Sequence, residues 1–219
     1  MKTSIHLAQL GPLEQLRTGR LARRFVQLVI GLFLYGLSMA MMIRGDLGLA
    51  PWDALHIGLT QLLPLSFGWV VIDVSFIVLL LWIPLREIPG IGTLANAIII
   101  GTAADLMLHV LEAPQGFTER LALTVGGVLV CGLGSAVYIG AQLGRGPRDG
   151  LMTGLHRVTG YSLQLVRTSL ELTVLLAGLS LGGFGLFGIG TVLFALCIGP
   201  LTQAFLPWTL VAVEADAPQ

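Results

Sequence analysis

Charge is what this sequence has least of. Only 11% of its 219 residues are Asp, Glu, Lys or Arg, less than half of the roughly 25% found in soluble domains. So few charges cannot cover a water-facing surface, which argues against a soluble enzyme. Twelve acidic and twelve basic residues cancel to zero net charge, so a nucleic-acid footprint would need dense local clustering of Lys and Arg. The one dense cluster, Arg17, Arg20, Arg23 and Arg24, stands directly ahead of an apolar run. It reads as a topology signal, and no nucleic-acid partner is expected. Cysteine is scarce too. Cys131 and Cys197 lie inside apolar segments with no second Cys or His at ligand spacing, which leaves them as small buried hydrophobes. No Ser-His-Asp order, zinc spacing or paired glycosidase carboxylates can be placed, so neither catalysis nor a metal or cofactor is expected.

Apolar residues are abundant, at 55% of the chain with a mean hydropathy of +0.87, and such a surplus has to face lipid. The 29 glycines suit close helix packing in a bilayer, where apolar burial gives helices no drive to associate. Their rows, such as Gly126-Gly127 or Gly182-Gly183, follow no strand, so packing explains them and a phosphate loop does not. Apolar segments long enough to cross about 30 Å of hydrocarbon run over 25–43, 68–85, 91–111, 121–143, 163–181 and 187–207. The first is too long for a signal-peptide core and reads as a retained span. Two further stretches, Pro51 to Leu63 and Pro147 to Val158, have a length that favours re-entrant or interfacial helices. Both begin with Pro, which suits a first helical position. Trp52, Trp69, Trp82 and Trp208 fall mainly near span ends, as interfacial belts would place them.

The short helices align at an offset of 96. Leu47-Gly48, Pro51, Asp53, Leu55 and Gly58-Leu59 fall on Leu143-Gly144, Pro147, Asp149, Leu151 and Gly154-Leu155, and Ser66 and Val70 fall on Ser162 and Val166. The string GIGT occurs at Gly90 to Thr93 and again at Gly188 to Thr191, now offset by 98. The chain therefore reads as two copies of span, short helix, span, span, an internal symmetry found in many transporter folds. Parity sets the geometry. If the short helices do not cross, each half has three spans and the halves are inverted; if they cross, each half has four and the halves are parallel. Positive charge discriminates. With a cytoplasmic N-terminus, the three-span arrangement puts nine basic residues inside and two, Arg44 and Arg120, outside; the four-span arrangement gives seven against four.

The expected fold is therefore all-α: a polytopic membrane helical bundle of two inverted repeats, each of three spans plus one short re-entrant half-helix. Residues 1–24 form a basic cytoplasmic N-terminal segment, 25–111 the first membrane repeat, 121–207 the second and 208–219 an acidic C-terminal tail.

The strings GDLGLAPWDALHIGLT, from Gly45, and GRGPRDGLMTGLHRVTG, from Gly144, continued by SLQLVRTSLE from Ser162, resemble the YczE family of bacterial integral membrane proteins, loosely related to YitT-like membrane proteins. The likeness covers most of residues 25 to 207. It implies a multi-pass protein of the bacterial cytoplasmic (inner) membrane, described for the family as a permease or as a membrane factor assisting other processes. It carries no catalytic residues over.

Polar residues at membrane depth are costly and mark the candidate site. Asp53, His56 and Thr60 share one face of the first short helix, and Asp149, Thr153 and His156 form the equivalent stripe on the second. Each Asp has a plain structural reading, as a complement to the helix dipole near an N-terminus. The functional reading brings both half-helix N-termini toward the midplane to face a substrate. Arg148, standing where the first copy has Trp52, then favours an anion; alternatively it is a loop charge obeying the inside rule. Arg167 and Glu171 at i, i+4 are expected to pair, as are Asp105 and His109, and Asp73 lies inside a span. The expected function is a small-solute permease or channel with lipid bilayer as surroundings, and the alternative is a non-transporting partner assisting another membrane protein. A homodimer would help so small a bundle enclose a full pathway; the sequence leaves this open.

Overall fold

The computed structural model describes residues 11–212. The first ten residues of the basic segment, Lys2 among them, and residues 213–219 of the acidic tail lie outside the described residues. Among those described, the elements are α1 (Pro12–Arg17), α2 (Leu21–Gly45), α3 (Pro51–Thr60), α4 (Phe67–Leu85), α5 (Ile91–Val110), α6 (Phe117–Gly140), α7 (Pro147–Thr159), α8 (Leu163–Gly182) and α9 (Ile189–Thr209), with a 3-10 turn at Phe184–Leu186. No strand occurs among them. Helices α2, α4, α5, α6, α8 and α9 are long and apolar enough to cross a membrane. They match the six stretches read from hydropathy, and the short α3 and α7 start at the two prolines as expected.

Local chemistry explains why the matched strings start helices. Ser66 and Ser162 N-cap α4 and α8, each hydroxyl accepting the N–H three residues on, at 3.3 Å from Trp69 and 3.2 Å from Leu165. At the GIGT strings that open α5 and α9, the Thr93 and Thr191 hydroxyls accept the N–H groups of Gly90 and Gly188, at 3.1 and 3.3 Å. Ahead of α3 and α7 one backbone turn recurs. Asp46 and Gln142 are left-handed, and Gly48 and Gly144 sit at φ +106° and +128°, a region that glycine enters without steric cost.

Helices α2 and α6 form the central antiparallel pair. Gly31 near the start of α2 lies against the Tyr138 backbone near the end of α6, and Gly45 at the end of α2 against Thr124; side-chain-free surfaces let the backbones approach. Two arginines tie the pair together at its ends. Arg24 donates to the Ala141 and Gln142 carbonyls at 2.8 and 2.7 Å, and Arg120 donates to the Gly45 carbonyl at 3.0 Å and to Asp46. The sequence assigned Arg24 to the aqueous N-terminal segment. It is instead 0% exposed, because α2 begins at Leu21 and its first turn is spent satisfying the carbonyls left over at the end of α6.

The remaining packing is crosswise. Helix α3 lies mainly on α8, and α7 on α4. Gly178 of α8 meets the backbone of Ala54, and Gly150 of α7 meets the Trp82 indole of α4. Trp82 therefore does not join an interfacial belt: it is buried and donates to the Pro147 carbonyl at 2.9 Å. The ends of each short helix stay together. Arg44, ahead of α3, donates to the Leu108 carbonyl, and Gly68, after it, donates to the Asp105 carboxylate at 2.7 Å, both on the last turns of α5. Likewise Gly92 at the start of α5 donates to Leu143 ahead of α7, while Arg157 near the end of α7 pairs with Glu87 between α4 and α5 at 3.0 Å.

Candidate functional site

The two families of matched strings hold one another. Gly190 N–H donates to the Leu47 carbonyl at 2.7 Å and Gly92 N–H to the Leu143 carbonyl at 2.8 Å. The turn before α3 thus rests on the GIGT start of α9, and the turn before α7 on that of α5. A Cβ at Gly48 would strike the Gly188 backbone, so the close approach as well as the positive φ demands glycine there.

This docking brings the starts of α3 and α7 to one cavity of about 240 Å³ between them and α8 and α9. Its lining includes Trp52, Tyr138, Arg148, Asp149, Arg167 and Glu171. A smaller hollow of about 50 Å³ toward α4 and α5 shares Tyr35, Tyr138, Arg148 and Asp149. Arg148 is half-buried with its guanidinium 4.8 Å over the Trp52 ring, and it forms no ion pair among the described residues. Stacking on an indole holds the cation by one face and leaves its donor edge available for a carboxylate or phosphate. Asp149 accepts from the Tyr138 hydroxyl at 3.0 Å. Arg167 and Glu171 pair at 2.9 Å on the cavity wall, as their spacing predicts.

The other predicted residues divide. Asp53 and His56 are buried, 3% and 1% exposed, with Oδ1 and Nδ1 3.8 Å apart. Thr60 donates to the Ile57 carbonyl, Thr153 donates to the Gly150 carbonyl and accepts from Arg145, and neither lines the cavity. His156 is exposed, its Nδ1 against the Tyr161 carbonyl, because α7 lines the cavity no further along than Met152. Asp105 and His109 form no side-chain pair. The Asp105 carboxylate accepts from Gly68 N–H and the Ser66 hydroxyl at the start of α4, and His109 Nδ1 faces the Asp105 backbone carbonyl at 2.7 Å. Asp73 is exposed on α4. Tyr35 and Tyr138 went unnoticed in the sequence because tyrosine is counted among the apolar residues of a span. Their hydroxyls at membrane depth were the available signal.

A family model described as a family of unknown function (DUF6198) matches residues 22–207. An uncharacterized protein of Haemophilus influenzae is 37% identical over 179 residues, covering 82% of this chain and 81% of its own length. The uncharacterized membrane protein YczE of Bacillus subtilis is 36% identical over 182 residues, 82% of this chain and 84% of its own. The uncharacterized protein YyaS of Bacillus subtilis is 28% identical over 182 residues, 81% of this chain and 90% of its own. No solved structure matches the chain.

Proposed function

The chain belongs to this YczE-like family of integral membrane proteins (DUF6198), and from that premise we propose that it is a small-solute permease of the bacterial cytoplasmic membrane. Its solute site is the cavity at the starts of α3 and α7, and its two halves are inverted repeats. The observation that carries the reading is Arg148: a cation at membrane depth, stacked on Trp52 without an ion-pair partner among the described residues, between the N-termini of two half-helices. Positive helix ends and a free guanidinium favour a solute with an anionic group.

Inversion is supported by the antiparallel α2 and α6 and by the return of each short helix to the end of the bundle from which it came. With the N-terminus cytoplasmic, a cysteine at Ile88 would label from the cytoplasmic side and one at Glu112 from the outer side; the reverse, which parallel halves require, would contradict the arrangement.

The transport test uses purified protein in liposomes and a panel of labelled organic acids, amino acids and phosphate esters. Uptake of at least one, falling more than tenfold in Arg148→Gln, is the expected outcome. Absence of uptake and of binding across the panel would favour the second reading, a non-transporting membrane partner. That reading draws on Asp73, which lies on the outward face of α4 among exposed Trp69, Ile77 and Leu80. A carboxylate on such a face is costly in lipid, so a neighbouring protein, a second copy included, would relieve it. Co-purification lost in Asp73→Leu would support it.

A further inference from the structure

We infer that Asp53 and His56 form a proton-binding site whose occupancy is coupled to that of the Arg148 cavity, so that solute and proton move together. The inference rests on the permease reading and names its coupling ion.

Three polar atoms in one buried spot have no hydrogen-bond partner among the described residues: Asp53 Oδ1 and both ring nitrogens of His56. The two side chains are separated by 3.8 Å, too long for a hydrogen bond, and buried polar groups are normally paired because desolvation without compensation is costly. The fold itself does not require the pair. Ninety-six residues on, the second half builds the same short helix with Met152 where the first has His56. Asp149, the counterpart of Asp53, is half-buried and bonded to Tyr138. An acid and a base have thus been set side by side, unsatisfied, in one half alone.

A proton fits this arrangement better than a metal ion. Alkali and alkaline-earth cations want several oxygen ligands, and no group of three or more His, Cys, Asp or Glu side chains converges among the described residues. A proton needs only two basic atoms, and imidazole with carboxylate supplies them.

Coupling follows from what faces the pair. Arg148 of α7 stacks on Trp52, the residue next to Asp53, and its charge reaches both members of the pair, while Tyr35 of α2 and Cys131 of α6 interact electrostatically with Asp53. Helix α4 contributes the uncharged Phe67 ring, edge-on at 5.9 Å from the imidazole. On α8 the charges Arg167 and Glu171 are paired with each other. The guanidinium of Arg148 is therefore the unpaired charge that the pair feels. An anion bound there offsets the positive charge and lets the pair hold a proton more tightly. By reciprocity, a proton on the pair raises anion affinity by the same factor.

The test needs no known solute. Proteoliposomes adsorbed on a solid-supported electrode are exposed to pH steps, and charge displacement is recorded. The wild-type protein should give a transient displacement, reduced at least tenfold in Asp53→Asn and in His56→Gln, with folding checked by gel filtration and helical circular dichroism. In Arg148→Gln the midpoint should move to higher pH, by about one unit. A wild-type protein without displacement, or either pair variant folded and displacing charge normally, would overturn the inference. Failure of the permease reading looks different: charge displacement would persist while no solute in the uptake panel moved. A solute moving at equal rate with and without an inward proton gradient would overturn the coupling and leave the permease standing.

Discussion

Arg24 and Arg120 illustrate what single residues can hide. Counted for membrane topology, both are basic residues beside a span, one inside and one outside. In the folded chain they are a matched pair of forks, Arg24 of α2 closing the carbonyl end of α6 and Arg120 of α6 closing that of α2. The sequence carried the signal, since the two are 96 residues apart, the same offset as the Pro-x-Asp strings; hydropathy alone has no means to rank it. The guanidinium is planar and reaches two adjacent carbonyls at once, which an ammonium does not. Arg24→Lys should therefore fail to rescue what Arg24→Met loses. Both should cost about 2 kcal/mol of stability, the scale of leaving a buried acceptor unpaired, and thermal unfolding in detergent would measure it. Arg23, exposed one residue earlier, is the control: Arg23→Lys should leave the midpoint unchanged.

Among helices, the elements themselves were readable and their mutual orientation was not. Long apolar runs separated by Gly, Pro and Ser fixed six spans and two short helices, because hydropathy and capping are local properties. Which face of a short helix meets the cavity depends instead on the depth at which the helix docks. The stripe Asp149, Thr153, His156 shares one face as its spacing demands, yet His156 ends at the exposed margin. Docking depth is set by glycines. Gly178 admits the α3 backbone closely, whereas at the equivalent crossing the Trp82 indole stands between α4 and α7. Gly178→Val would push its methyls into Ala54 and Leu55. It should cost on the order of 2 kcal/mol, as overpacking of a tight contact does, and should loosen α3 against α8. Gly199, equally small and equally within a span, has nothing within 4 Å of where a Cβ would sit, so Gly199→Ala should cost no stability and can add up to about 1 kcal/mol. Equal losses at the two positions would contradict this account of docking.

At the scale of the whole molecule, the helix pairs α4–α5 and α8–α9, which the matched strings align, pack differently. Helices α4 and α5 are locked by Gly68 and Gly101, each pressed on the other's backbone. Their counterparts are Gln164 on α8 and Gly199 on α9. There the helices stand apart, and the cavity opens between them. Under the permease reading, one mouth is shut and the other open. The opposite state would exchange the two contacts, with α8 closing on α9 at Gly199 while α4 leaves α5. Pro200 follows Gly199 directly and interrupts the helical hydrogen bonding of α9, which gives that helix a place to bend; the matching residue of α5 is Thr102. Gly199→Leu therefore separates stability from turnover. The state described here has room for the side chain, so the unfolding midpoint and the labelling of a cysteine at Thr202 should stay as in the parent. The closed state has no room for it, and uptake of any solute found in the liposome panel should fall more than tenfold. Uptake at the parent rate in Gly199→Leu would mean that α8 and α9 never close there, and that the open mouth is a fixed feature of the fold.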